Sequence, residues 1–169
     1  MLLSLQGTRR VEPLFQTPFD ERNAAISPDG HWMAFESNES GQSRIYVCPF
    51  PNVTSARYEI SNGGGRTPAW APDGHELFFV DRTSVMAVTV QLTPTFSTGN
   101  PTKLFDAPSM VFDGRMIGTG TQRTYDVSRD GQRFLMITDG GEAAGNASPA
   151  GMILVQNWFE EMKARVPAQ

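Results

Sequence analysis

The phrase Ile26-Ser27-Pro28-Asp29-Gly30 recurs as Trp70-Ala71-Pro72-Asp73-Gly74 and again as Val127-Ser128-Arg129-Asp130-Gly131. Each copy lies between two stretches of alternating apolar residues, the pattern of a strand, a tight Asp-Gly turn and a second strand. A chain built on three such units is committed to repeated β-hairpins. The glycines serve turns that need positive φ, where a Cβ is poorly tolerated. Asp29, Asp73 and Asp130 are read as Asx-turn residues whose carboxylates accept from nearby backbone amides.

Taking each turn glycine as origin aligns apolar residues four before it (Ile26, Trp70, Val127), three after it (Met33, Leu77, Phe134) and five after it (Phe35, Phe79, Met136). This period of two places one face of each hairpin in a core. Further strands are expected at residues 44–48 and 57–60 in the first unit and at 76–80, 85–90 and 103–105 in the second. Gly30 and Gly74 are 44 residues apart. Four strands in that span is the period of a propeller blade. Gly74 and Gly131 are 57 apart, and the excess falls around Phe112-Asp113-Gly114-Arg115 and residues 118–121, read as an inserted loop on one face of the disc.

Leu14-Phe15-Gln16-Thr17-Pro18 parallels Leu104-Phe105-Asp106-Ala107-Pro108, so residues 11–15 read as the outer strand of a blade whose other strands are missing. At the other end, Met152-Ile153-Leu154-Val155 reads as a third strand. Asn157-Trp158-Phe159-Glu160 then carries a capping-box pattern, with Trp158, Met162 and Val166 at helical spacing. The expected organisation is all-β: a partial β-propeller with an orphan outer strand in 1–20, blades over 21–62, 63–108 and 109–156, the last with the insertion, and a short helix over 157–167. Three blades cannot close a ring, because propellers have four to eight.

Composition removes several functions. A net charge of −4 without a basic run argues against a general nucleic-acid binder. The single cysteine, Cys48, excludes an internal disulfide and a cysteine-built zinc site. No metal or cofactor is expected. No stretch approaches the roughly 20 apolar residues of a membrane span, and the opening residues do not form a leader, so the chain as written is expected to be cytoplasmic. Ser27 and Ser128 lack a nucleophile elbow, and His31 and His75, both just after a turn glycine, read as exposed turn residues rather than bases. Asn62-Gly63-Gly64-Gly65 lacks the Lys-Ser/Thr and helix of a phosphate cradle and reads as a loop between blades. Trp32, Trp70, Phe78, Phe79, Phe134 and Trp158 read as core.

Ser27-Pro28-Asp29-Gly30-His31-Trp32, together with Phe19-Asp20-Glu21-Arg22, Ser37-Asn38-Glu39-Ser40-Gly41, Tyr46-Val47-Cys48-Pro49-Phe50-Pro51, Tyr125-Asp126-Val127-Ser128 and Asn157-Trp158-Phe159-Glu160-Glu161, resembles the TolB-like, WD-repeat-like propellers of bacteria. Within that group it is most similar to the C-terminal propeller of bacterial serine/threonine protein kinases. The resemblance runs from about residue 11 to 167 and implies the C-terminal portion of such a propeller. His31, His75 and Arg129 depart from the usual residues, and no kinase motif is present.

An arginine stands eight residues before each turn glycine: Arg22, Arg66 and Arg123. In a propeller this segment leads into the innermost strand at one mouth of the channel, so the three are candidate ligands for a carboxylate or phosphate. Local ion pairs, such as with Glu21 or Asp126, are the competing account. The expected function is a non-enzymatic binding and interaction module for a protein, peptide or small anion. The alternative is an accessory propeller of a larger enzyme, a kinase or a propeller-bearing peptidase. Expressed alone, the chain is expected to dimerise, two three-blade halves closing a six-bladed ring in which residues 11–15 complete the partner's last blade.

Overall fold

The computed structural model describes residues 2–3, 11–107 and 123–137, and the backbone of 152–156. Three antiparallel sheets follow one another along the chain. The first runs in the order β3 (Glu21–Ile26), β4 (Trp32–Ser37), β5 (Arg44–Pro49), β6 (Tyr58–Glu59), after a separate pair β1 (Leu2–Leu3) and β2 (Val11–Glu12). The second comprises β7 (Arg66–Trp70), β8 (Glu76–Asp81) and β9 (Ser84–Gln91). Its outer edge is shared by β10 (Ser97–Thr98), which pairs with Val90 and Gln91, and β11 (Thr102–Asp106), which pairs along 84–87. The third has β12 (Tyr125–Val127), β13 (Arg133–Ile137) and β14 (Met152–Gln156). These are successive blades of a partial propeller. The inserted loop and the helix expected over 157–167 lie outside the described residues, as does Trp158.

The three repeated phrases adopt one geometry. The turn glycine N–H donates to the carbonyl three residues earlier, at 2.9 Å from Gly30 to Ser27, 2.9 Å from Gly74 to Ala71 and 2.8 Å from Gly131 to Ser128. Gly30, Gly74 and Gly131 have φ of 78°, 76° and 69°, conformations that carry a penalty for any residue with a Cβ. Each turn aspartate accepts from the amide two residues on, at 3.0 Å from His31, His75 and Gln132. The glycine is therefore the fourth residue of the turn rather than one of its central pair. Ser27 and Ser128 add a second lock by accepting from the N–H of Trp32 and Arg133 at 2.9 Å while donating to their turn aspartates. The Ser128 hydroxyl holds the Asp130 carboxyl below its ordinary range, helped by the Gln132 amide.

Side-chain alternation gives each blade two different faces. Residues three and five after the glycine point toward the preceding blade: Leu77 and Phe79 pack with Ala34, Ile45 and Val47, and Phe134 and Met136 pack with Phe78, Val80 and Val85. Phe78 and Phe134 meet edge to face with centroids 5.0 Å apart, a favoured aromatic geometry. Residues four and six after the glycine point toward the next blade. Central strands β4 and β8 are thus buried on both faces, not on one as their alternation alone suggests. Burying each such phenylalanine or leucine contributes about 1.5–3 kcal/mol.

The two ends of the stack differ. On the first blade, Met33, Phe35, Tyr46 and Cys48 face away from the second blade and are covered by Leu14, Phe15 and Phe50. On the third, Leu135 and Ile137 point away from the second blade and are 43% and 53% exposed. The strand expected over residues 11–15 is realised only at Val11–Glu12, paired with Leu2–Leu3. Pro13 has no N–H to extend that ladder, and Leu14 and Phe15 serve as a packing cover. Ile26, aligned with buried Trp70, is 44% exposed and so does not belong to the core.

Candidate functional site

The innermost strands of all three blades line one cavity of about 460 Å³, walled by Asn23, Ala25 and Ile26 of β3, Pro68 and Trp70 of β7, and Asp126 of β12 with neighbouring Arg123. Trp70 holds two of the strands together by donating its indole N–H to the Ala25 carbonyl at 3.0 Å. Ile26 owes its exposure to this cavity, which it lines.

β3 and β7 are not regular along this wall. Their register shifts between Arg22 and Ala25 and between Arg66 and Ala69, and the residue after each arginine, Asn23 and Thr67, has φ of 52°. Asparagine tolerates that region, whereas a β-branched residue there is an outlier. Thr67 is 1% exposed, and its left-handed backbone costs about 1–2 kcal/mol. Neighbouring blades hold it in place. Its N–H donates to Glu36 Oε2 at 3.3 Å, and its carbonyl accepts from the Tyr125 hydroxyl at 2.7 Å. Glu36, only 4% exposed, also accepts from Asn23 Nδ2 at 3.0 Å and Ser43 Oγ at 2.9 Å. One carboxylate thereby ties the inner strands of two blades, and one phenol ties in the third.

Burial pushes the Tyr125 phenol up, which keeps it protonated and able to donate. The hydroxyls of Thr67 and Thr124 are buried without a hydrogen-bond partner among the described residues. Residues held in rare backbone conformations by surrounding structure concentrate where function requires a fixed shape. Neither Glu36 nor Tyr125 was singled out as a site residue by sequence reasoning. The signal for Glu36 was a lone acid inside the otherwise apolar run Trp32-Met33-Ala34-Phe35-Glu36.

Of the three aligned arginines, Arg123 lines the channel cavity and pairs with Asp126 at 3.4 Å. Arg22 pairs with Asp20 at 3.1 Å, rather than with Glu21, and borders a different depression beside Leu14 and Phe15. Arg66 opens β7 and lines a third cleft. All three are exposed, and none of these cavities is lined by two of them. His31 and His75 are exposed. Among the described residues, no group of histidine, cysteine and carboxylate side chains is arranged to hold a metal, and no helix is long and apolar enough to cross a membrane. Cys48 is buried, and burial pushes its thiol up to about 11.

Residues 2–147 match the model of the lipoprotein LpqB β-propeller domain. The chain belongs to that family. Membership agrees with the propeller blades described above. No curated protein matches the chain. Among solved structures, TolB from Acinetobacter baumannii superposes with a TM-score of 0.53 at 16% identity, over 92% of this chain and 37% of that one. An oligogalacturonate lyase from Vibrio parahaemolyticus superposes with a TM-score of 0.51 at 17% identity, over 73% of this chain and 31% of that one. At these identities the likeness concerns the fold. The LpqB-type chain spans about a third of the length of each of these structures.

Proposed function

We propose that this LpqB-type propeller segment is a binding and interaction module without chemistry of its own, completed by further blades to form a ring around the cavity that its inner strands line. The single observation that supports this most is the unequal covering of its two end faces. Leu135 and Ile137 occupy the positions that elsewhere in the chain meet the next blade, and they stand 43% and 53% exposed. The complementary face, Met33 and Phe35, is under Leu14 and Phe15. In isolation a second copy supplies the missing neighbour: Leu135 and Ile137 of one copy pack on the first blade of the other as Leu14 and Phe15 move aside, closing a six-bladed ring. The ligand is a protein, a peptide or a small anion, with Arg123 on the cavity and Arg22 and Arg66 on separate neighbouring depressions.

Light scattering at increasing concentration tests the assembly. The expected species has the mass of two chains, and Leu135→Asp/Ile137→Asp shifts it to one. A folded wild-type monomer at all concentrations overturns the self-association. Replacing Arg22, Arg66 and Arg123 with Gln tests the anion reading separately, and unchanged binding to an anion panel removes it. A second reading has its own support, because the chain spans only about a third of the structures it resembles. There the segment is an accessory propeller of a larger enzyme, a serine/threonine kinase or a propeller-bearing peptidase. A catalytic domain encoded in frame with the segment decides for that reading.

A further inference from the structure

The described arginines fall into two sets. Arg22, Arg44, Arg57, Arg123 and Arg133 each meet a carboxylate. Arg66, Arg82 and Arg129 form no ion pair among the described residues. Two of these unpaired guanidinium groups, Arg66 and Arg82, line a single cleft of about 300 Å³ between the first and second blades. Arg66 opens β7, and Arg82 sits in the turn joining β8 to β9 with φ of 53°, an uncommon conformation for a long side chain.

The wall between them is bare backbone. Gly63, Gly64 and Gly65 line the cleft, and the last two have little or no room for side chains. A Cβ on Gly65 would lie 2.7 Å from both Ile45 Cγ1 and Ser61 Oγ, and one on Gly64 would lie 3.1 Å from Asp81 Oδ1. The Gly65 N–H is used by the Ser43 carbonyl at 3.0 Å. Those of Gly63 and Gly64 meet no acceptor among the described residues. Asp81 lines the same cleft, so two guanidinium groups and one carboxylate leave a net positive charge. Both arginines are exposed, and an anion between them would meet two positive charges. Guanidinium donors suit carboxylate and phosphate oxygens, and successive free backbone amides add an anion-binding concavity.

We propose that this cleft binds a small oxyanion, a carboxylate or phosphate, that also carries a hydroxyl. Arg66 and Arg82 hold the anionic group with the Gly63 and Gly64 amides, and Asp81 accepts from the hydroxyl. The site goes beyond the channel reading above. It shares only Arg66 with it, and Arg22→Gln/Arg123→Gln leaves it intact, so the two stand or fall separately.

The test is titration of the isotope-labelled full chain with lactate, propionate, glycerol 3-phosphate and propyl phosphate, followed by the Gly63 and Gly64 amide signals. Saturable shifts are expected with lactate, glycerol 3-phosphate or both, and these two arms identify the anionic group. Propionate and propyl phosphate, lacking the alcohol hydroxyl, should bind more weakly than their hydroxylated counterparts. Arg82→Gln and Arg66→Gln should each weaken binding about ten- to hundredfold. Asp81→Ala, which removes the acceptor, should abolish the preference for the hydroxylated ligand. Arg129→Gln, which removes an unpaired arginine outside the cleft, should change nothing. The proposal is overturned if neither hydroxylated ligand saturates the glycine signals. It is equally overturned if Arg129→Gln weakens binding as much as Arg82→Gln in variants whose other signals stay in place.

Discussion

Replacing Thr67 with glycine should stabilise the propeller segment, although glycine inside a strand ordinarily costs about 0.5–1 kcal/mol relative to alanine. Thr67 has φ of 52° and is 1% exposed, and glycine removes the left-handed penalty of about 1–2 kcal/mol. It also removes a buried hydroxyl with no partner among the described residues, whose desolvation costs about 1–3 kcal/mol. Against this stand about 0.8 kcal/mol for the lost methyl and about 0.5–1 kcal/mol for glycine's greater freedom when unfolded. The bonds from Thr67 N–H to Glu36 and from Tyr125 to the Thr67 carbonyl use backbone atoms only, so they survive. The net gain is about 0.5–1.5 kcal/mol at the low end of the hydroxyl range. Thr89→Gly in β9, where the backbone is ordinary and the side chain exposed, is the control and should lose about 1 kcal/mol. Urea unfolding reads both as midpoint shifts, about 0.3–1 M per kcal/mol for slopes of about 1–3 kcal/mol/M. If Thr67→Gly loses as much as Thr89→Gly at equal slope, the strain assigned to Thr67 is not there.

Tyr125→Phe leaves the Thr67 carbonyl without its donor in a buried place and should cost about 1–3 kcal/mol, measured by the same denaturation. Gly65→Ala drives a Cβ onto the buried Ile45 side chain and should cost about 3 kcal/mol, within the range for overpacking. Gly30→Ala meets nothing within 4 Å but keeps φ of 78°, and it should cost only about 1–2 kcal/mol; thermal midpoints in the reverse order would refute the ranking. The Cys48 thiol, raised by burial from 9.0 to about 11, titrates later in the folded chain than in the unfolded one. Its contribution is therefore fully present below pH 9 and lost between pH 9 and 11. The unfolding midpoint should fall across that window less steeply in Cys48→Ala, and a thiol reagent at pH 8 should label Cys48 only in denaturant.

The blade architecture was legible because its signals are local. The Asp-Gly turns adopt one hydrogen-bond pattern in all three copies, and Met33, Leu77, Phe134, Phe35, Phe79 and Met136 are each at most 2% exposed. What escaped the sequence depends on neighbours that are remote in the chain. Ile26 and Trp70 share a repeat position and border the same cavity, yet Ile26 is exposed and Trp70 buried, since only Trp70 has blades on both sides. Thr67 contradicts its own backbone preference because Glu36 and Tyr125, 31 and 58 residues away, hold its peptide. β10 was missed because Ser97 and Thr98 carry no apolar alternation. Arg82 belongs to no repeat and became visible only beside Arg66.

The alternation that sends Leu77 and Phe79 backward and Phe78 and Val80 forward gives the chain a sense of direction, like the distinguishable ends of an actin protomer. A forward surface fits a backward one and has no complement in another forward surface. Copies joined through these surfaces therefore add in a single orientation, and mirror-paired dimers across Leu135 and Ile137 are disfavoured by shape. If the angle between blades closes, the product is a ring; if a substitution changes that angle, the same surfaces produce an open, growing spiral.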